Sequence, residues 1–313
     1  MYSQKISGGK RFVLDWLGPV IIVFFLFVSL LYSILASFTL RGLMSILPMA
    51  MPLVAIALAT ALVTARKGAV DMSFGGAMAL SSMLIGSAAL NGIAWIGILG
   101  ALLICIAFGM LNGILVVFLK AHSYIVTLLS GITIRIFAAF FSFTSAQAPS
   151  RFHLTFFGLM DRDISVLLLI IIAAGIAVGL YFIAHATEKK AKFLAVLPFV
   201  GSSVIAMFVG YLSTVRIGSI IPSTSTSYDL TIIYFWAVLA SSRLLGRTPI
   251  ALAFALVPAL CSALQSYALT VSFLIPAFKN LIEIFLAFSF IIIAYVFHNL
   301  RSRWLGEQIP LLS

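Results

Sequence analysis

The sequence predicts an all-α polytopic membrane protein of about ten transmembrane helices, one of them short or broken. Three observations carry that. Of 313 residues, 63% are hydrophobic and only 9% charged, where soluble domains average about 25% charged, and mean hydropathy is +1.22. The apolar residues come in continuous runs of roughly 17 to 25, the length a helix needs to cross a bilayer, with none of the alternation of an outer-membrane barrel. The basic residues behind the net charge of +11 fall in short breaks between those runs.

In chain order the runs lie at 17–36, 43–65, 70–90, 94–118, 123–142, 165–185, 193–212, 249–270 and 278–298. The first follows Lys5, Lys10 and Arg11 and exceeds the usual signal-peptide core, so it reads as an uncleaved anchor. A further run, Leu230 to Ala240, is too short to cross alone. Its approach, 213-STVRIGSIIPSTSTSYDL-230, is polar and turn-rich, as in a segment that re-enters from outside and then crosses. Irregular backbone at that depth is tolerated only where protein buries it or it lines a water-filled cavity.

Orientation follows from Lys and Arg. With the N-terminus inside, thirteen fall in inner loops, among them Arg66, Lys67, Lys120, Lys189, Lys190, Arg243, Arg247, Arg301 and Arg303. Four lie in outer loops (Arg41, Arg151, Arg162, Arg216), and Arg135 and Lys279 lie within spans. This bias predicts ten crossings with both termini cytoplasmic, in one transmembrane domain over 1–313. The short run must count as a crossing, or Arg301 and Arg303 would face out. Ala69-Val70-Asp71-Met72-Ser73 also echoes Ser227-Tyr228-Asp229-Leu230-Thr231. The two segments fall on opposite sides, so spans 2–5 and 7–10 are candidates for an inverted repeat, the arrangement transporters place around a pathway.

Several chemistries have no motif here. Gly8-Gly9-Lys10 lacks the spacing and hydroxyl of a phosphate loop, and H-E-x-x-H and G-x-S-x-G do not occur. His122, His153, His185 and His298 fall in loops or at span ends, and Cys105 and Cys261 inside apolar runs. No catalytic centre, cofactor or metal site is expected, and the basic excess sets topology rather than binding nucleic acid. Glu283 has Lys279 four residues earlier on its own helix face, which suits an ion pair better than ion coupling. The energy for moving a solute is therefore expected on another chain.

The stretch 62-LVTARKGAVDMSFGGAMAL-80 carries the most information. Arg66 and Lys67 make it an inner turn, and Asp71 with Ser73 opens span 3. Asp71 reads first as a helix cap at the positive end of the dipole, with solute contact or an inner gate as alternatives. Asn112 and Thr127 are polar residues in apolar spans, suited to interhelical hydrogen bonds or to lining a hydrophilic path.

Gly68-Ala69-Val70-Asp71-Met72-Ser73-Phe74-Gly75 with Met78-Ala79-Leu80 resembles the G-G-I-D-L-S-V-G…M-A-L signature of permease subunits of ribose-type monosaccharide ABC importers. Gly109-Met110-Leu111-Asn112-Gly113 resembles their G-x-x-N-G, and Ser123-Tyr124-Ile125-Val126-Thr127-Leu128 their P-F-I-V-T-L. Tyr228-Asp229-Leu230 resembles their Y-E-L, and the Gly246-Arg247 turn their glycine-rich loop before the ninth span. The resemblance runs in order over roughly residues 20 to 300. It implies a bacterial inner-membrane permease working with a second permease subunit, cytoplasmic ABC ATPases and an extracytoplasmic solute-binding protein. It also makes Asp71, Ser73, Asn112, Thr127 and Asp229 candidates for the pathway or gate. The family's longer cytoplasmic segment after span 6 is reduced here to 185-HATEKKAKF-193, in which Glu188, Lys189 and Lys190 are the candidates for ATPase coupling. That shortening implies a heterodimer with a more standard partner. Branched-chain amino acids or nucleosides are alternative solutes within the family. An ion-coupled secondary transporter and a non-transporting scaffold are the alternatives outside it.

Overall fold

The computed structural model describes residues 40–64, 69–144, 175, 178, 179, 193–217, 229, 231–233 and 236. Among them all regular structure is helical: α1 (Leu40–Thr64), α2 (Phe74–Leu90), α3 (Ala94–Val117), α4 (Ser123–Thr144) and α5 (Leu197–Ile217), the last entered through a 3-10 turn at Phe193–Val196. Trp95–Val117, Ser123–Phe140 and Leu194–Tyr211 are long and apolar enough to cross a membrane, and Pro52–Thr64 and Phe74–Ala88 are shorter apolar helices. Predicted spans at 17–36, 249–270 and 278–298 lie outside the described residues. So do Arg66, Lys67, Glu188, Lys189, Lys190, Lys279 and Glu283.

The chain divides into two compact units, 1–57 with 233–313, and 58–232. In the first, the described residues are the N-terminal part of α1 with Ile233 and Trp236. The second holds the rest of α1 and all of α2 to α5, and the candidate residues at 71, 73, 112, 127 and 229 all fall in it.

Local chemistry marks several helix ends in the second unit. The turn after α2 reverses through Asn91-Gly92, with Gly92 at φ 73°, a left-handed backbone that glycine enters without steric cost. Residues 118–122 join α3 to α4, with Lys120 at φ 54°. Pro198 sits in the first turn of α5, where its missing N–H has no intrahelical partner to lose. Span 3 was expected from residue 70, but α2 begins only at Phe74. The four residues before it are irregular because the Asp71 side chain bonds locally to Ser73 and competes with helix formation.

Contacts along the helices fix their directions. Gly97 on α3 lies against Leu84 and Ala88 of α2, while Asn112 at the other end of α3 reaches Ser73, so α2 and α3 are antiparallel. Thr127 meets Met72, and Gly131 on the next turn of α4 meets Gly76; α4 therefore runs parallel to α2. On α5, Val200 and Ser203 lie by Gly109, and Gly210 by Met78 and Ser81, so α5 is also parallel to α2. Of the predicted span at 165–185, Gly175, Val178 and Gly179 are described, and each is helical.

On α3 and α4 mostly small residues face in and large ones face out. On α3 the buried stripe is Gly97, Ala101, Cys105, Gly109 and Asn112, while Ile96, Leu99, Leu103, Leu111 and Ile114 are exposed. On α4, Thr127, Gly131, Ile134 and Ala138 face in, and Ile125, Leu129, Ile132, Ile136 and Phe140 face out. In water this would leave the largest apolar groups solvated. In lipid it is the expected order, because tails solvate leucine well and close backbone approach holds the helices together. Helix α2 is the centre, with every residue from Asp71 to Met83 buried. One end of its core joins Ala79, Leu80 and Met83 to Ile134 and Ala138, backed by Ile104 and Phe108.

Candidate functional site

Four of the five candidate pathway residues meet at the N-terminal end of α2. Ser73 is the residue immediately before the helix and its carbonyl accepts from Ala77 N at 2.9 Å, so the cap position belongs to Ser73. Asp71 acts one step back. Its Oδ1 accepts from Ser73 N at 2.9 Å and from the Ser73 hydroxyl, an Asx-type turn that fixes the chain as it enters the helix. Sequence reading gave Asp71 the cap itself; the structure gives it the residue that caps.

The turn is tied to two further helices. Asn112 Nδ2, from α3, donates to Ser73 Oγ at 2.9 Å. That hydroxyl in turn donates to Asp71, so amide, hydroxyl and carboxylate form one chain. Thr127, from α4, accepts from Met72 N at 2.9 Å and donates to Ser123 O at 2.7 Å within its own helix. Val70 N lies 3.3 Å from Ser123 Oγ. The irregular stretch from 70 to 73 thus has side chains from α3 and α4 answering its backbone, which buried non-helical backbone requires. Asn112, Ser73 and Thr127 are fully buried and Asp71 is 3% exposed.

Close approach makes these bonds possible. A Cβ on Gly76 would stand 2.5 Å from Gly131 O, and one on Gly131 2.8 Å from Met72 O. Only paired glycines let α4 come near enough for Thr127 to reach the main chain. Helix α5 joins the other flank, where Ser202 faces the Asp71 carboxylate and Ser82 Oγ donates to Gly210 O at 2.9 Å.

Asp229 is elsewhere. It is helical, as is Thr231, and pairs with Arg135 on α4. Arg135 is eight residues beyond Thr127, about 12 Å along the helix, so the ion pair and the Asp71 cluster are separate features. Both partners are partly exposed, at 22% and 23%, and Arg135 Nε is buried without a partner. Asp71 lies in an irregular turn, whereas Asp229 is helical. Ser227, Tyr228 and Leu230 of the second repeat segment lie outside the described residues.

Sequence reading did not single out Ser202 or Ser203, and named Ser123 only as the first residue of a motif. The Gly201-Ser202-Ser203 run was the available signal, a polar pair beside a glycine inside an apolar span. It names a close helix contact but not the partner helix. No protein-family model, curated protein or solved structure matches this chain.

Proposed function

We propose that this chain is the membrane-spanning permease subunit of an ABC importer for a small polar solute of the monosaccharide class, powered by separate ATPase subunits. One observation supports the reading above the others. Three segments resemble three motifs of ribose-type permeases, and the polar residue that marks each one, Asp71 with Ser73, Asn112 and Thr127, joins a single buried network. The bonds from Asn112 and Thr127 reach the 72–73 segment across 39 and 55 residues of sequence. Chance likenesses at three places have no reason to meet in space.

In this reading the protein makes ten crossings of the bacterial cytoplasmic membrane with both termini inside, and spans 2–5 and 7–10 are inverted copies. The positive-inside count puts the Asp71 cluster at the inner end of the bundle. There it fixes the start of α2 to α3 and α4 and forms part of the inner gate. Glu188, Lys189 and Lys190 contact the ATPase, a second permease completes the channel, and a solute-binding protein delivers cargo from outside. An ion-coupled carrier is the second reading, favoured by the buried carboxylate of Asp71, since such groups mark ion pathways in membrane proteins.

Proteoliposomes carrying this chain with a candidate second permease, ABC ATPase and solute-binding protein test both. The expected result is monosaccharide uptake that stops on ATP depletion. Uptake that persists without ATP and collapses with an uncoupler refutes the ABC reading and supports the carrier. Within the working complex, Asp71→Asn keeps an Oδ1 acceptor for Ser73 whereas Asp71→Ala removes it. Transport lost in a well-folded Asn variant assigns Asp71 more than a structural role.

A further inference from the structure

The Arg135–Asp229 ion pair belongs to no helix cap and no loop. Arg135 is twelve residues along α4 from Ser123 and nine before Thr144, about 18 Å and about 14 Å at 1.5 Å per residue. The hydrocarbon core of a bilayer is about 30 Å thick, so Arg135 lies near its middle. Asp229 meets it there from 94 residues away, its Oδ1 accepting from Arg135 Nη2. The pair is not sealed. Its side chains keep 22% and 23% of their surface exposed, and Arg135 Nε, inside that surface, has no partner. The guanidinium therefore carries a donor that Asp229 does not answer.

What meets the open surface decides its role. Charge at that depth is costly in lipid and faces a bundle interior or a water-filled cavity instead. Helix α4 keeps the two apart. Ile132 and Ile136, 45% and 66% exposed, lie on its lipid side, whereas Leu128, Arg135 and Ala139 form a half-buried stripe beside the buried one. An ion pair closed off by protein would be fully buried with its donors answered, and this one is neither. A polar occupant solvates the open charges and supplies the acceptor that Nε lacks. The pair has no net charge, so it selects neither anions nor cations, but it presents guanidinium donors beside a carboxylate acceptor. A hydroxyl both donates and accepts, and matches both. We infer that Arg135 and Asp229 line a water-filled pocket near the middle of the membrane and are the point where a neutral, hydroxyl-bearing solute touches the pathway. The solute contact rests on the transport reading; the pocket does not.

Thiol labelling of the full chain in lipid nanodiscs tests the pocket. Cys105 and Cys261 are replaced by alanine, and single cysteines are introduced as Ala139→Cys, Arg135→Cys or Ile136→Cys. The probe is a charged methanethiosulfonate, which attacks the thiolate and so needs water at the site. Ala139 is one turn from Arg135 on the same face, and its variant leaves the ion pair in place. Ala139→Cys and Arg135→Cys are expected to react severalfold faster than Ile136→Cys. Equal, slow reaction at all three positions overturns the pocket, because the pair then faces lipid or protein. For the solute contact, the double variant Arg135→Met with Asp229→Leu removes both charges together and strands neither. In the reconstituted complex it is expected to keep its unfolding temperature and to lose ribose uptake or raise its KM severalfold. Undiminished ribose uptake in that variant overturns the contact. Fast labelling without ribose uptake by the unsubstituted complex upholds the pocket and refutes the monosaccharide reading, and the solute contact with it.

Discussion

Replacing Gly76 with alanine tests the packing on which the candidate site depends. The added Cβ would lie 2.5 Å from Gly131 O and 3.1 Å from Gly131 Cα. Ordinary contact begins at roughly 3.5 Å, so α2 and α4 must separate by about 1 Å at that level. Both sides of the contact are backbone, so no side chain can swing aside. Overpacking of this kind costs about 1–3 kcal/mol. Against it stands the gain from removing a glycine from a helix, up to about 1 kcal/mol. The net loss should be up to about 2 kcal/mol, and the parting helices should lengthen the Thr127–Met72 bond as well. Gly100 is the control: on α3 an added Cβ there meets nothing within 4 Å, so Gly100→Ala should be neutral or slightly stabilising. Reversible unfolding of both variants in mixed micelles gives the comparison. Equal stability for the two refutes the close α2–α4 contact, and with it the geometry of the cluster.

Two further substitutions probe the polar groups. Thr127→Val keeps the shape of the side chain but leaves Met72 N–H buried without an acceptor, and should destabilise by about 1–3 kcal/mol. Thr127→Ser should retain most of the stability in the same unfolding measurement. Arg135→Gln or Asp229→Asn alone should each cost about 1.5–3 kcal/mol, the range for hydrogen bonds to charged groups. The double variant should cost clearly less than the sum, because neither charge is then left alone. Additive losses in that cycle would mean that the two residues do not pair.

Much of the helical frame was legible because continuous apolar length alone specifies a span. The run at 94–118 became α3 at Ala94–Val117, and the run at 123–142 became α4 at Ser123–Thr144. The start of α2 was misjudged by four residues. Hydropathy treats Val70 and Met72 as span, whereas the side-chain bonds of Asp71 decide the backbone. Asn112 and Thr127 stood out as polar residues in apolar surroundings, but their convergence on Ser73 and Met72 did not. That depends on which helix faces meet, and glycines set this by allowing approach without naming the neighbour. The partner of Arg135 was hidden for the same reason: Asp229 lies 94 residues away, and only tertiary structure brings it near.

Glycine contacts and hydrogen bonds do different work in this bundle. Along α2, backbone approach recurs at Gly76 against Gly131, at Met78 against Gly210, and at Leu84 and Ala88 against Gly97. These contacts supply much of the attraction, because lipid offers apolar side chains no drive to associate. Close contact between smooth faces has little sense of register, however. A hydrogen bond within the membrane averages only about 0.6 kcal/mol, so the Asp71 network adds less to stability than its burial suggests. Its bonds are directional, and each loses its partner if a helix slides. Moving α3 along α2 by one turn would carry Asn112 about 5 Å from Ser73, and in one direction would bring Cys105 to where Gly109 now meets α5. The network therefore selects one register among packings that dispersion alone would leave close in energy. Polar groups concentrated at one end of α2 can set the alignment of four helices while the rest of the interface stays apolar.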